Sequence, residues 1–278
     1  MSESSKLHYQ YSLSVFVYVL IVLGFRFFGG KFLVDFYDQP LKDIGESYFY
    51  WLSLLSFFPN YIIHHYWACL FVDSFVVILP ILCIVFYSKY IKVLTTLFLL
   101  LFWIQTSTVE IFTLSHSKSV VCIFLVILPI LFIKKKILLM IDFARYAGAY
   151  FIVSAAYFKY VNGALLKKGN YSIALVNQYY DRAIMNPEHF LFQIATYIID
   201  RPWLGDILFR MLFLSQVVFV LTFFTRKLDK LLIVNLFLFS SLTYVFMGIY
   251  NYDIFILSIP LFFSSQVLKE LNFKMKVD

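Results

Sequence analysis

The stretch AYFIVSAAYFKYVNG, residues 149–163, decides how the chain is read. It is an apolar run with small residues, Ser154, Ala155 and Ala156, at its centre and one ammonium group, Lys159, near its end. Extended back to residue 143 it reaches the ~20 residues that a helix needs to cross ~30 Å of hydrocarbon. Gly148, Ser154, Ala155 and Ala156 give it the small side chains that let spanning helices approach closely. A lysine in such a segment either snorkels to the headgroups or serves a function.

The rest of the chain has the same character. Of its 278 residues 62% are apolar and only 14% are charged, where a soluble domain would carry about 25% charge. The expected fold class is all-α, a polytopic membrane helical bundle forming a single domain over residues 1–278. Eight spans are predicted, at 11–28, 66–87, 91–112, 118–133, 143–162, 204–224, 230–249 and 252–268. Continuous apolar runs of this length argue against a membrane barrel, whose strands alternate. The opening residues lack a small-residue cleavage site after a short apolar core, so the first span reads as a retained helix. Two longer segments, 29–65 and 164–203, read as extracytoplasmic and interfacial. In the second, Asn186 is an expected N-cap and Pro187 an expected first helical residue, followed by Phe190, Ile194, Tyr197 and Ile198 at helical spacing.

The formal charge of +7 does not point to nucleic acid, because the basic residues lie between apolar runs, where they set topology. With the N-terminus inside, the inner side collects Lys134 to Lys136, Arg226, Lys227 and Lys230 among its basic residues. The outer side is poorer in them, and an N-in, C-in arrangement follows. Cys69, Cys83 and Cys122 all fall in apolar stretches without metal-site or disulfide spacing, and read as packing residues.

This topology gathers polar side chains towards the outer leaflet: Lys159, His116, Glu110, His64, His65, Tyr250, Asn251, Tyr252 and Asp253. Asp206 and Arg210, four apart on the sixth span, are expected to form an ion pair. A lysine facing hydrocarbon loses solvation of its charged form and can act as a base near neutral pH. A histidine beside it can donate to a developing oxyanion. Such a pair opening into the bilayer suits a lipid-soluble reactant such as a quinone. There is no Walker loop, G-x-G-x-x-G, G-x-S-x-G or H-E-x-x-H, so nucleotide hydrolysis, serine hydrolysis and zinc proteolysis are not supported.

The stretch and its flanks resemble the vitamin K-dependent gamma-carboxylase-like transmembrane family, also called HTTM. The resemblance rests on Arg145, Tyr150-Phe151 and Lys159 along one helix, followed by Gly169-Asn170-Tyr171. Upstream lies Ser115-His116-Ser117, and downstream Ser258-Ile259-Pro260-Leu261-Phe262. Leu166 stands where the family has tryptophan, and the small residues after Tyr150-Phe151 are shifted. No large extracytoplasmic domain like that of the animal enzyme is expected.

The resemblance implies roles. Lys159 would be the base that deprotonates a reduced, vitamin K-like quinone, and His116 would assist it. Tyr150, Asn162, Tyr250 and Asn251 are the candidate contacts to the quinone, and no metal is expected. In the animal enzyme the reduced quinone reacts with oxygen to give a strong base. That base removes a glutamate γ-proton before carbon dioxide adds. The expected activity is therefore carboxylase-like, on a secreted peptide or small substrate, at the outer face of a bacterial cytoplasmic membrane. Membrane lipids and a small membrane partner are the other expected contacts. Two rival readings are a non-catalytic membrane factor for peptide export or maturation, and a DoxX-like quinone-linked redox protein.

Overall fold

The computed structural model describes residues 3–39, 58–113, 119–132, 136–176, 188–247 and 252–264. Among them all regular structure is helical, with no strand. Six helical segments are long and apolar enough to cross a bilayer: Ser4–Phe36, Tyr66–Val85, Tyr90–Val109, Ile137–Val161, Pro202–Phe223 and Asp229–Phe246. They match six of the eight expected spans. The expected fourth and eighth spans are the shorter apolar helices Val120–Leu131 and Asp253–Ser264, so among the described residues six, not eight, reach spanning length. Each short helix carries a proline, Pro129 or Pro260, which removes a backbone donor. The second is also interrupted by a turn at 256–257.

The chain divides into two compact units, Met1–Met140 and Ile141–Asp278. In the first, helices Tyr66–Val85 and Tyr87–Thr113 fold back on one another, and Glu3–Phe28 and Ser119–Leu131 pack against them. Phe16 meets Phe98 edge-on at 6.3 Å between ring centroids, and Phe98 stacks on Phe102 at 5.5 Å. All three rings are fully buried. Several polar groups inside this core are answered by the chain itself, the arrangement favoured where water is absent. The Tyr11 hydroxyl donates to the Val126 carbonyl at 2.8 Å. His8 Nε2 donates to the Ile130 carbonyl at 3.2 Å, and its Nδ1 faces the Tyr87 hydroxyl.

The second unit is organised around the helix Ile137–Val161, which carries the opening stretch. Its buried residues Arg145, Gly148, Ile152 and Ala156 form one stripe, and Tyr146, Tyr150, Tyr157, Phe158 and Tyr160 are exposed. Gly148 lies on the buried stripe against Leu257, and a Cβ placed there would stand 2.9 Å from that leucine's Cδ2. The helix ends in a motif that the sequence carries plainly. Gly163 takes φ +66°, its N–H donates to the Tyr160 carbonyl, and the Ala164 N–H reaches back to the Lys159 carbonyl, both at 3.0 Å. This double return is the Schellman cap, and glycine is the residue that adopts its left-handed position at no steric cost.

A helix is present in the second long segment but begins later than expected. It runs Phe190–Ile199, and His189 occupies the N-cap, its Nδ1 accepting from the Leu191 N–H at 3.2 Å. Asn186 and Pro187 lie outside the described residues, as do residues 40–57 of the first long segment. The face turned inward is Leu191, Ala195 and Ile198. Phe190 and Tyr197 are exposed on the other side, because the helix packs on both Pro202–Val217 and Asp229–Met247 and these contacts select the smaller residues.

Replacing Gly148 with valine should destabilise the second unit by about 1–3 kcal/mol, the usual cost of overpacking. Leu257→Ala in the same chain should recover part of that loss. Thermal unfolding of the detergent-solubilised variants checks both.

Candidate functional site

Lys159 is 14 residues, or about 3.9 turns, beyond Arg145, and so returns to the same face of the helix. That face is the buried stripe, so the lysine projects into the unit rather than away from it. It is partly buried, and its Nζ donates to Gln216 Oε1 at 2.7 Å. Gln216 is 3% exposed and sits in the last turn of the helix Pro202–Val217. The Phe209 ring lies 6.0 Å from Nζ and packs on the fully buried Tyr171 at 5.7 Å between centroids. The lysine is thus held sideways by a neighbouring spanning helix, with the Phe209 ring beside it.

The partner helix is broken at this level. After Val217 it continues as a 3₁₀ segment, Val218–Phe223. A change from α to 3₁₀ winding disturbs the ladder of carbonyls. Asn235, on the next span, donates its Nδ2 to the Ser215 carbonyl at 2.7 Å. Ser215 Oγ turns back to the Leu212 carbonyl at 2.7 Å. These bonds stitch the break and fix the residue next to Gln216.

Turn Gly169, at φ +70°, donates its N–H to Asp206 Oδ1 at 3.0 Å and leads into helix 170–176, where Tyr171 is buried. Asp206 therefore holds a loop, and no ion pair joins it to Arg210 among the described residues. The expected pairing gives way because the Gly169 N–H has no helical partner and the carboxylate is its acceptor.

The other end of the lysine helix carries a different kind of site. Arg145 and Asp229 are both fully buried side chains, joined through Nε–Oδ2 at 2.9 Å and Nη2–Oδ1 at 2.7 Å. Arg145 Nη2 also donates to the Thr225 carbonyl at 2.9 Å. Beside this pair Arg226 Nη2 meets Asp142 Oδ2 at 2.6 Å, and Ser264 donates to Asp142 Oδ1 at 3.1 Å. Four charges cancel in two pairs, and a bidentate arginine–carboxylate fork is the geometry that best withstands desolvation.

Of the residues expected at the site, Lys159 is placed as described. Tyr150 is 68% exposed and nine residues, or 2.5 turns, before Lys159, which sets it on the opposite face of the helix. Asn162 is exposed at the helix end. His116, Tyr250 and Asn251 lie outside the described residues, and so does the side chain of Glu110. His64 pairs through Nδ1 with Asp38 Oδ1 at 2.9 Å, and His65 stacks on Tyr61. Gln216, Asn235, Asp142 and Asp229 are not among the residues that the motifs point to. Each was visible as a polar residue inside or at the end of an apolar run, which is the available signal.

The chain matches no family model, no curated protein and no solved structure.

Removing one member of the buried pair should be costly. Arg145→Met alone, or Asp229→Leu alone, should lose about 3–5 kcal/mol, whereas the double variant recovers most of it because no uncompensated charge remains. Unfolding midpoints of the three proteins in detergent decide the matter.

Proposed function

We propose that this chain is a membrane-embedded enzyme in which Lys159 acts as a base towards the acidic hydroxyl of a lipid-soluble reactant, a reduced quinone. The observation that carries the reading is the Lys159–Gln216 hydrogen bond, made sideways within the membrane-spanning part of the second unit. An amide oxygen accepts from an amine as well as from an ammonium. The bond therefore holds Nζ in place in both protonation states, which is what a group that takes and returns a proton requires.

The residues present suit an apolar aromatic reactant. Lys159 is only partly buried, so the amine can be reached, and the half-buried Phe209 offers aromatic surface beside it. A quinone of the vitamin K type supplies, when bound and reduced, the oxygen-dependent strong base needed for carboxylation. Lys159 accepts the hydroxyl proton at Nζ, Gln216 orients Nζ, and the Asn235–Ser215 bond keeps Gln216 from shifting with the helix break. The HTTM resemblance assigns His116 as the assisting imidazole and a secreted peptide glutamate as the group modified. The same reading places the protein in a bacterial cytoplasmic membrane, N-in and C-in, with eight spans and an outward-facing lysine.

The test uses the full chain in lipid vesicles with a chemically reduced vitamin K, bicarbonate and a glutamate-rich peptide. Wild type should yield quinone epoxide and γ-carboxyglutamate. Lys159→Ala should lower the rate about 10²–10⁴-fold, the usual contribution of a general base, with insertion unchanged. His116→Ala is measured beside it. Quinone turnover without dependence on carbon dioxide would assign the protein to quinone-linked redox chemistry instead. Lack of any turnover, with peptide maturation in cells surviving Lys159→Ala, would leave a non-catalytic maturation factor.

A further inference from the structure

The first unit contains a buried carboxylate that none of the chemistry above uses. Asp73 is 4% exposed, on the spanning helix Tyr66–Val85, seven residues or about 10 Å beyond its first residue. Its two oxygens are held separately. Oδ1 accepts from Gln105 Nε2 at 2.7 Å, and Oδ2 accepts from the Val34 N–H at 3.0 Å. Gln105 is fully buried on the facing helix Tyr87–Thr113, and its Oε1 has no hydrogen-bond partner among the described residues.

Among the described residues, Asp73 also has no counter-charge paired with it. The elements packed around it are the first helix, the 3₁₀ segment Leu33–Phe36, the short helix Phe58–Ile63 and the Tyr87–Thr113 helix. Their described charged and titratable groups near this end are engaged elsewhere. Arg26 donates to Thr106 Oγ1 at 3.3 Å and lies over the Phe102 ring. Asp35 accepts from the Phe32 N–H, His64 pairs with Asp38, and His65 Nδ1 faces the Tyr61 carbonyl. On the same helix as Asp73, the Cys69 thiol donates to the Ile62 carbonyl. Among the described residues no basic side chain forms an ion pair with Asp73.

A buried ionised carboxylate without a cation is strongly disfavoured, and so is a buried amide oxygen without a donor. One particle removes both costs. We propose that Asp73 and Gln105 form a proton-binding site, in which a carboxylic acid pairs with a primary amide through two hydrogen bonds. One of the two bonds, Nε2–H to Oδ1, is present. A proton on Asp73 supplies the other, giving Gln105 Oε1 its donor. No bond to carbon forms or breaks, and the proton comes from and returns to water. The site belongs to the first unit and stands independently of the lysine chemistry.

The test is labelling by dicyclohexylcarbodiimide, an apolar reagent that enters bilayers and reacts with protonated carboxyls. The intact protein in sodium-free vesicles is treated over a series of pH values, digested and analysed by mass spectrometry. The reagent's mass should appear on the peptide bearing Asp73 and should decline as pH rises. Infrared difference spectra after a pH jump should show a protonated-carboxyl band that Asp73→Asn removes. Absence of both the label and the band at every pH overturns the proposal. So does labelling that added sodium suppresses at constant pH, since the occupant is then the metal cation rather than the proton. Labelling is mapped on the unsubstituted chain, so the result stands even if Asp73→Asn inserts poorly.

Discussion

The second unit depends on one constraint: a charge carried into hydrocarbon has to be answered by the same chain. Arg145 and Asp229 meet that constraint with a bidentate fork in which neither side chain is exposed. The fork alone would leave Asp142 and Arg226 uncompensated, and they pair with each other next to it. Neither pair is a bonus added to an apolar core. An apolar replacement of matched shape can be as stable, so what the fork provides is a single allowed register between the Ile137–Val161 helix and the chain after Thr225.

The lysine end of the same helix follows a different logic. There Nζ donates to an amide, Gln216, where Arg145 meets a carboxylate. A carboxylate fixes its partner in the charged state, whereas an amide accepts from either state of the amine. Neutral support is stitched one layer further out, by Asn235 on the Ser215 carbonyl at the point where α winding gives way to 3₁₀. One helix therefore has a locked end and an adjustable end. Under the proposed function, the adjustable end is the one that takes and returns a proton.

Much of this was legible in the residues. Apolar runs place the spans Tyr66–Val85 and Pro202–Phe223 to within two positions at each end, because about 20 apolar residues leave few alternatives, whereas Ile137–Val161 starts six residues before its expected beginning at 143. Gly148 was picked for close packing and meets Leu257. The partners were not legible. Gln216 and Asp229 are recognisable as polar residues in oily surroundings, but which residue faces them depends on how helices far apart in sequence are rotated, and hydropathy does not encode rotation. The expected end of the lysine-bearing span at residue 162 agrees with the helix end at Val161, where Asn162-Gly163 is a readable helix stop. Asp206 misled for a related reason. The i,i+4 rule describes an isolated helix, and here a turn glycine with a spare N–H competes for the carboxylate.

The two ends of the lysine helix are not independent of each other. Lys159 and Arg145 are 159 − 145 = 14 residues apart, and their partners Gln216 and Asp229 are 229 − 216 = 13 apart, in the opposite order. Fourteen residues of α-helix span about 21 Å, which the antiparallel partner has to match with one residue fewer and a turn at 224–228. The 3₁₀ segment Val218–Phe223 supplies length, since it rises about 2.0 Å per residue against about 1.5 Å for an α-helix. Uniform α winding would draw Gln216 towards Asp229 by about 3 Å over those six residues, roughly the length of the Lys159 hydrogen bond itself. The 3₁₀ winding thus adds length to the chain that joins the lysine contact to the buried fork. It also explains why the break needs its own stitch from Asn235: the segment that sets the spacing is the one whose backbone bonds are least regular.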